Sequence, residues 1–518
     1  MEKQDMYGQA ADPAGRGIMK TVTGVIFLLL FAVSGSAQAS IINAASVSQS
    51  DVAAAIAAAA NGDTVVIPAG TATWTSSLNV TKAIWLQGSG SGRIIARSLT
   101  SNTIGTGAKT FTTQNGLSIS TGQTLRVIQT GKRYNYMQGT VTSYSGTTLV
   151  MDINSSGGSG VNAFWHIATS PTTVIVNNYS SGASPLIALT ESIIGSIQVS
   201  GIKFEGPSSA TRYGITIHGG SVSGKPTLIH DCWFSSSPNG VQIRMETNRG
   251  VIWNCSVDTD YEGPVAKINF QQQNSEGSIG QAGMATASTM GANDTTGVNN
   301  FYVEDCDFHG ESTVYDFSNY SRGVIRHCLF NNSSLVSHGA DTGYGNRHYE
   351  LYNNEFIQNK SVGAALPLNW WFNIRGGTGV ITDNIMPDMS SEDWGDKLSL
   401  NMQEQNTHRN AGHFPCWGAG TPGIQWPSPF GIGQSHDATS IITDPLYIWG
   451  NTPQPPRVGV QEYVPNECGP DADSASDYIQ EGRDYKFEAK PGYAKYTYPH
   501  PIRSGAPPGA PEGLHIVP

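Results

Sequence analysis

Seven short segments of this sequence alternate aliphatic and polar residues, so that in strands the polar ones would all point to one side. They are GITIHGG (214 to 220), GVQIRME (240 to 246), VAKINFQ (265 to 271), TVYDFSN (313 to 319), LVSHG (335 to 339), LPLNWWF (366 to 372) and KLSLNMQ (397 to 403). The outward set reads His218, Arg244, Lys267 with Asn269, Asp316, His338, Asn369 with Trp371, and Lys397 with Asn401. Arg and Lys pair with carboxylate or sulfate groups, and an indole face stacks on a sugar ring. A row of this kind suits an acidic polysaccharide. An ordinary solvated strand face shows the same alternation and is the competing reading.

The residue types discriminate between reactions. Glycoside hydrolysis normally uses two carboxylates roughly 5 to 9.5 Å apart, and the row offers Asp316 alone. β-Elimination from a uronic acid needs instead a group that neutralises the carboxylate and a base for the neighbouring proton. Arg244 and Lys267 are candidates for clamp or base, and His338 is an alternative base. His218, Asn269, Asp316, Asn369, Trp371 and Lys397 are candidates for substrate contact. An Arg or Lys acting as base requires a large local pKa shift, because both are protonated at neutral pH.

The elements that position this row come from a repeat. The strings IHDCWF (229 to 234), IWNCSV (252 to 257), VEDCDF (303 to 308), IRHCLF (325 to 330), LYNNEF (351 to 356) and ITDNIM (381 to 386) share an apolar residue, two variable positions and then Cys or Asn. Their Cys/Asn positions recur about every 22 to 30 residues, with one interval near twice that, which is the period of a solenoid. Val, Ile, Phe, Gly, Asn and Ser dominate, so each unit is a coil of short strands in which one buried small polar residue stacks on the next, about 4.8 Å away.

These strings and their spacing resemble the right-handed parallel β-helix of the pectin lyase superfamily. The resemblance covers most of residues 41 to 453, with SGIKF (200 to 204) as an earlier rung and IWGNTP (448 to 453) as a later one. It implies coils of three strands, with a substrate groove along the first, where the seven segments above fall. It also implies calcium as a carboxylate-neutralising ion, for which Asp258 and Asp260 in SVDTDYEG, and Glu304, Asp305 and Asp307 in FYVEDCDF, are the candidate oxygen ligands, the latter flanking a ladder Cys and expected at a turn away from the groove. The Asn-Thr-Asp, Asp-Asp, Gly-His-Gly and Arg-Ile-Lys motifs of the polygalacturonase branch are missing, as is the pectate-lyase Arg-x-Pro-x-x-Arg signature. Arg322, Arg326, His327, Arg347 and His348 flank second strands and are expected to face solvent.

Residues 100 to 168 break the ladder. With GTGAKTF at the start and YMQGTVTSYSGTTL in the middle, they resemble a small all-β module of phage tail fibre proteins. That resemblance implies a glycan-binding accessory; a purely structural insertion is the alternative. Ahead of the first coil, Ser48 or Ser50 can cap an Ala-rich helix that Gly62 ends, closing the N-terminal end of the core. From 454 to 518 the chain is a Pro- and Tyr-rich tail, expected to run along the outside or over the last rung.

Composition limits the partners. A net charge of −11 and the lack of a Lys/Arg cluster exclude nucleic acid as an expected ligand. Charged residues make up 13%, against roughly 25% for ordinary soluble domains, as strands and turns with Ser, Thr and Asn polarity would give. Lys20, the apolar run Val25 to Val33 and Ala37-Gln38-Ala39 read as an export signal starting at Met19 and ending at 39, too short to span a bilayer. Of the six cysteines, Cys232, Cys255, Cys306 and Cys328 take the ladder slot and are expected to be buried free thiols. Cys416 and Cys468 are the candidate bridge. The expectation is therefore a secreted, all-β, right-handed parallel β-helix (40 to 453) with a capping helix and an inserted β module. It would engage a polysaccharide or cell-surface glycan, with β-elimination favoured. A non-catalytic carbohydrate-binding adhesin or matrix protein competes, and a tailspike role comes third.

Overall fold

A computed structural model describes residues 39–505, save 130–131, 179–185, 191, 193, 207–214, 219–224, 237–242, 247–248, 260–269, 273–296, 299, 318–320, 338–345, 347, 359–369, 388–397, 405–430, 437–440 and 463–478. The described chain is an all-β parallel β-helix. Its long ladders are parallel throughout: a 12-stranded sheet running from Ile41–Asn43 to Tyr485–Lys486, and a 16-stranded sheet that bends around the other two sides. We call the sides first, second and third in the order the chain visits them within a coil.

The coil repeats for a local reason. A second-side strand such as Gly250–Trp253 ends at Asn254, and the third-side strand Ser256–Thr259 begins two residues later. Asn254 has φ 55, in the left-handed region, and the equivalent Asp231, Asp305, His327, Asn353 and Asp383 have φ between 50 and 58. One residue therefore turns the corner, and Asp and Asn adopt that conformation more readily than other side chains. The residue that follows points into the core. There Cys232, Cys255, Cys306 and Cys328 are buried and free, as expected of ladder thiols, while Cys416 and Cys468 lie outside the described residues. Above them the slot passes to Asn. Asn354 Nδ2 donates to Asn384 Oδ1 at 2.9 Å, and Asn384 Nδ2 donates to Asn451 Oδ1 at 3.0 Å. Each amide also donates to a backbone carbonyl of the preceding rung, Ile325, Leu351 or Ile381.

Next to this column, third-side aromatic rings stack between rungs: Phe204 on Phe234 at 5.3 Å, Phe308 on Phe330 at 4.8 Å and Phe330 on Phe356 at 4.7 Å. The helix α1 (Gln49–Ala58) closes the N-terminal end. Ser48 caps it by accepting from the Asp51 N–H, and Val52, Ala55 and Ile56 pack into the solenoid core. The third side continues into the first within single strands at Asp307–Phe317 and Leu329–Ser337, where the ladder between them slips at His309/Ser312 and Thr313/Tyr315. Such bulges bend a strand, here around the corner.

The break in the repeat is a separate six-stranded antiparallel sheet from Ile94–Ser98 to Trp165–Thr169, with its own core around Phe111, Val127, Met137, Met151 and Trp165. It leaves the solenoid at the second-to-third corner, where Gly88 lies so close to the next rung that a Cβ would meet the Gly201 carbonyl oxygen at 2.3 Å.

The amide column gives a stability test. Replacing Asn384 by Leu leaves the Asn354 Nδ2 and backbone N–H without the oxygen they share, and should lower unfolding stability by about 3 kcal/mol. A shift in the urea midpoint followed by circular dichroism measures it.

Candidate functional site

Each side of the coil presents outward residues in rows at the rung spacing, and among the described residues the C-terminal segment lies on one side and the inserted module on another. On the second side one row reads Trp85, Gln198, Leu228, Val251, Tyr302, Val324, Glu350, and its neighbour reads His230, Trp253, Glu304, Arg326, Tyr352. The C-terminal segment runs back along these rows from the last rung. The Tyr493 hydroxyl donates to Glu350 Oε2 at 2.7 Å, and Lys495 Nζ pairs with Asp383 at 2.6 Å. The Tyr496 and Thr497 carbonyls accept from Arg326, each at 2.7 Å, and Arg503 pairs with Glu304 at 2.7 Å and Asp305 at 2.6 Å. Arg326 and Glu304 also pair directly, and both are fully buried.

This corrects the expectation that second-strand cations face solvent. Arg322, Arg326 and His348 are 1%, 0% and 4% exposed: the C-terminal segment lies over Arg326, His348 pairs with the Glu350 that Tyr493 bonds, and Arg322 donates to Asn300. His327 stacks on Tyr498 with centroids 3.7 Å apart, and Arg347 is outside the described residues.

The third side carries the inserted module. Trp233, 1% exposed, packs against Ile94, Ile128 and Ala168 of the module, and Lys203 lies over its ring at 4.5 Å. Arg93 bonds Asn254, and the Ile94 N–H donates to Ser256 Oγ at 3.1 Å. Burial raises the Asp307 carboxyl to about 6, with Arg97 opposing the rise. One face of the module is thus spent on the solenoid.

The first side holds the row expected to meet a ligand. Strand register places Thr216, Arg244, Gln271, Asp316, Val336, Asn373, Asn401 and Gly459 side by side on successive rungs. Arg244 and His218, on adjacent strands, are partly exposed. Cross-strand and along-strand spacings put their Cα atoms roughly 8 Å apart. Asp316 keeps its place in the row but is 6% exposed, so it backs the surface more than it presents to it. Asn373 Nδ2 donates to Gln403 Oε1 at 2.8 Å, and Asn401 Nδ2 donates to Asn373 Oδ1 at 3.1 Å. Asn401, expected outward, is thus buried in this amide ladder, while Asn373 and Gln271 are row members that the sequence pattern did not single out, although their parity with Trp371 and Asn269 would have found them.

Trp371 is a correction. It is fully buried, its indole Nε1 donates to the Pro387 carbonyl at 2.9 Å, and it packs on Phe356 at 5.5 Å. Core packing at the third-to-first corner turns the ring inward, so it is no sugar platform. Lys267, Asn269, His338, Asn369, Lys397 and Asp260 lie outside the described residues. Asp258 falls on a third-side strand, in register with Ser235 and His309, which is not the first side. Among the described residues no group of three or more His, Cys, Asp or Glu side chains could hold a metal ion, and no helix is long and apolar enough to cross a membrane.

The fold and these rows define a parallel β-helix protein with one long side not covered by the described module or tail. No known protein family matches the chain, and no curated protein matches its sequence. Among solved structures it is similar to the tailspike gp61 of Pseudomonas phage phi297, at 14% identity over 68% of this chain and 64% of that one, with a TM-score of 0.22. It is also similar to the Gp54 tailspike of Acinetobacter baumannii bacteriophage AP22, solved in complex with a capsular saccharide, at 10% identity over 66% of this chain and 69% of that one, TM-score 0.16. A third is the tailspike gp49 of Pseudomonas phage LKA1, at 13% identity over 68% and 66%, TM-score 0.15. The chain thus spans less than two thirds of the length of the phi297 tailspike. The fold assignment rests on the chain's own parallel ladders.

Removing one partner of a buried ion pair strands the other. Glu304→Leu, which leaves Arg326 buried without its carboxylate, should cost about 3 kcal/mol or more and open the C-terminal segment to proteolysis before the rungs unfold. Thermal unfolding and timed trypsin digestion read the two effects.

Proposed function

We propose that this protein binds an acidic polysaccharide along its first side and cleaves it by β-elimination. The observation that carries the reading is the allocation of the three sides: the second is occupied by the C-terminal segment and the third by the inserted module. The first is left with the partly exposed Arg244 and His218 and a row of amides beyond them. Arg244 would neutralise a uronate carboxylate, which acidifies the neighbouring C–H. Lys267 and His338 are the proposed bases, and His218, Asn269, Asn369 and Lys397 the proposed contacts on either side. In this reading the chain is exported through residues 1 to 39 and acts outside the cell.

A second reading, a non-catalytic glycan-binding protein, is favoured by one feature: in the described row Thr216, Gln271, Asn373 and Asn401 are uncharged, and one residue, Arg244, is a cation.

The deciding experiment follows ultraviolet absorbance of unsaturated uronate ends released from a panel of acidic polysaccharides, with and without calcium. Native protein should release them, and Arg244→Ala should lower the rate about 10²-fold with the fold intact, the scale of losing one electrostatic stabiliser. Lys267→Ala should abolish release if it is the base. Retained polysaccharide binding without release from any polymer would replace the lyase reading by the binding one, and loss of both would reject the first side as the site.

A further inference from the structure

The joint between the module and the third side contains two imidazoles in contact. His166 of the module and His309 of the solenoid have ring centroids 3.9 Å apart with planes tilted by 48°, and they are 1% and 0% exposed. His166 lies in Trp165–Thr169, in register with Arg97 on one neighbouring strand and Ile128 on the other. His309 lies in Asp307–Phe317, in register with Asp258 and Asn331. Arg97 of the module acts on both rings; Asp307, on the strand of His309, and Glu355, two strands further along, act on Arg97, Arg93 acts on Asp307, and Asp258 is the acidic residue in register with His309 on the neighbouring strand.

Two imidazolium ions at this separation in a buried joint would repel, and Arg97 adds a third positive charge beside them. The joint holds together only while the rings are largely neutral. We propose that this contact is a pH-sensitive latch, which seats the module on the third side at neutral pH and loosens it on acidification.

The sign follows from proton counts. Burial holds His166 down to about 3, with Arg97 adding to the effect. Burial likewise holds His309 well below its ordinary value, helped by His166 and Arg97. In an open joint both would protonate near 6.5, so just below that pH the open state binds two more protons than the closed one. Asp307 works the other way: burial raises it to about 6 when closed, whereas an exposed Asp protonates near 3.9. Counted over His166, His309 and Asp307, the open state therefore keeps a surplus of one proton between about 6 and 4. Each pH unit in that window should favour opening by about tenfold.

Hydrogen–deuterium exchange from pH 7.5 to 4.5, corrected for intrinsic rates, tests this on full-length protein. Amides of 94–98 and 165–169 report the joint, and amides of 348–352 report the solenoid. Protection of the joint should fall about tenfold per unit between pH 6 and 4 while the solenoid changes less. His309→Gln leaves one imidazole against Asp307, so its joint should be flat across that window. His166→Leu with His309→Leu leaves Asp307 alone, and its joint should tighten on acidification. A pH-independent wild-type joint overturns the latch. So does His309→Gln with the wild-type slope, a test that survives if the double variant does not fold.

Discussion

A single residue in the left-handed conformation at the second-to-third corner governs this molecule. Gly201, Asp231, Asn254, Asp305, His327, Asn353, Asp383 and Gly450 all have φ between 50 and 70. Because one residue makes the turn, the next side chain is forced inward, and the coil above must place its own turn directly over the one below. Register on all three sides follows from that alignment. Where the inward slot holds Asn, the hydrogen bonds from amide to amide and to the carbonyl of the rung below penalise any slip. Where it holds Cys, packing fills the slot and each thiol donates weakly to a backbone carbonyl. His327 is the costly member of the series, and its ring stacks on Tyr498 of the C-terminal segment.

Fixed register turns outward residues into rows, and rows can be read by another segment. The C-terminal segment reads the second side this way. Lys490 lies over Tyr447 at 5.5 Å, Lys495 over Tyr352 at 5.2 Å and Arg503 over Trp253 at 5.5 Å, a sequence of cations set on aromatic faces from the last rung backwards. Contacts of this kind contribute about 0.5 to 2 kcal/mol each according to desolvation. The buried Arg326–Glu304–Arg503 group fixes their alignment. The module reads the third side through Trp233, Ser256 and His309.

This division explains what was legible in the sequence. The Cys/Asn strings mark the inward slot, because that slot accepts few residue types, and the alternation in segments such as GITIH and GVQIRME places the first-side strands, because one parity must be apolar. Burial of outward residues was not legible. Arg326 and His348 look like solvated strand cations until a segment from beyond residue 490 is laid over them, and nothing local in IRHCLF or RHYELY records that contact. Trp371 failed for a different reason: parity predicts orientation only within a regular strand, and this ring sits where the coil bends. The left-handed corner was visible in principle, since Gly, Asp or Asn precedes nearly every ladder residue, with His327 as the exception.

The same division bears on where an anionic polymer could settle on a chain of net charge −11. A ligand of that kind needs a local cation, and the described cations of the second side are engaged by the protein's own groups: Arg326 and Arg503 by Glu304, Lys495 by Asp383. On the third side Lys203 pairs with Glu205, and Arg93 bonds Asn254. Arg244 is the one Lys or Arg within the described first-side strands, and it stands between Thr216 and Gln271 on the neighbouring rungs, with the buried Asp316 two rungs on. In the proposed site Lys267 and Lys397 would join it, so that a carboxylate-bearing polymer would meet cations from more than one rung of this side.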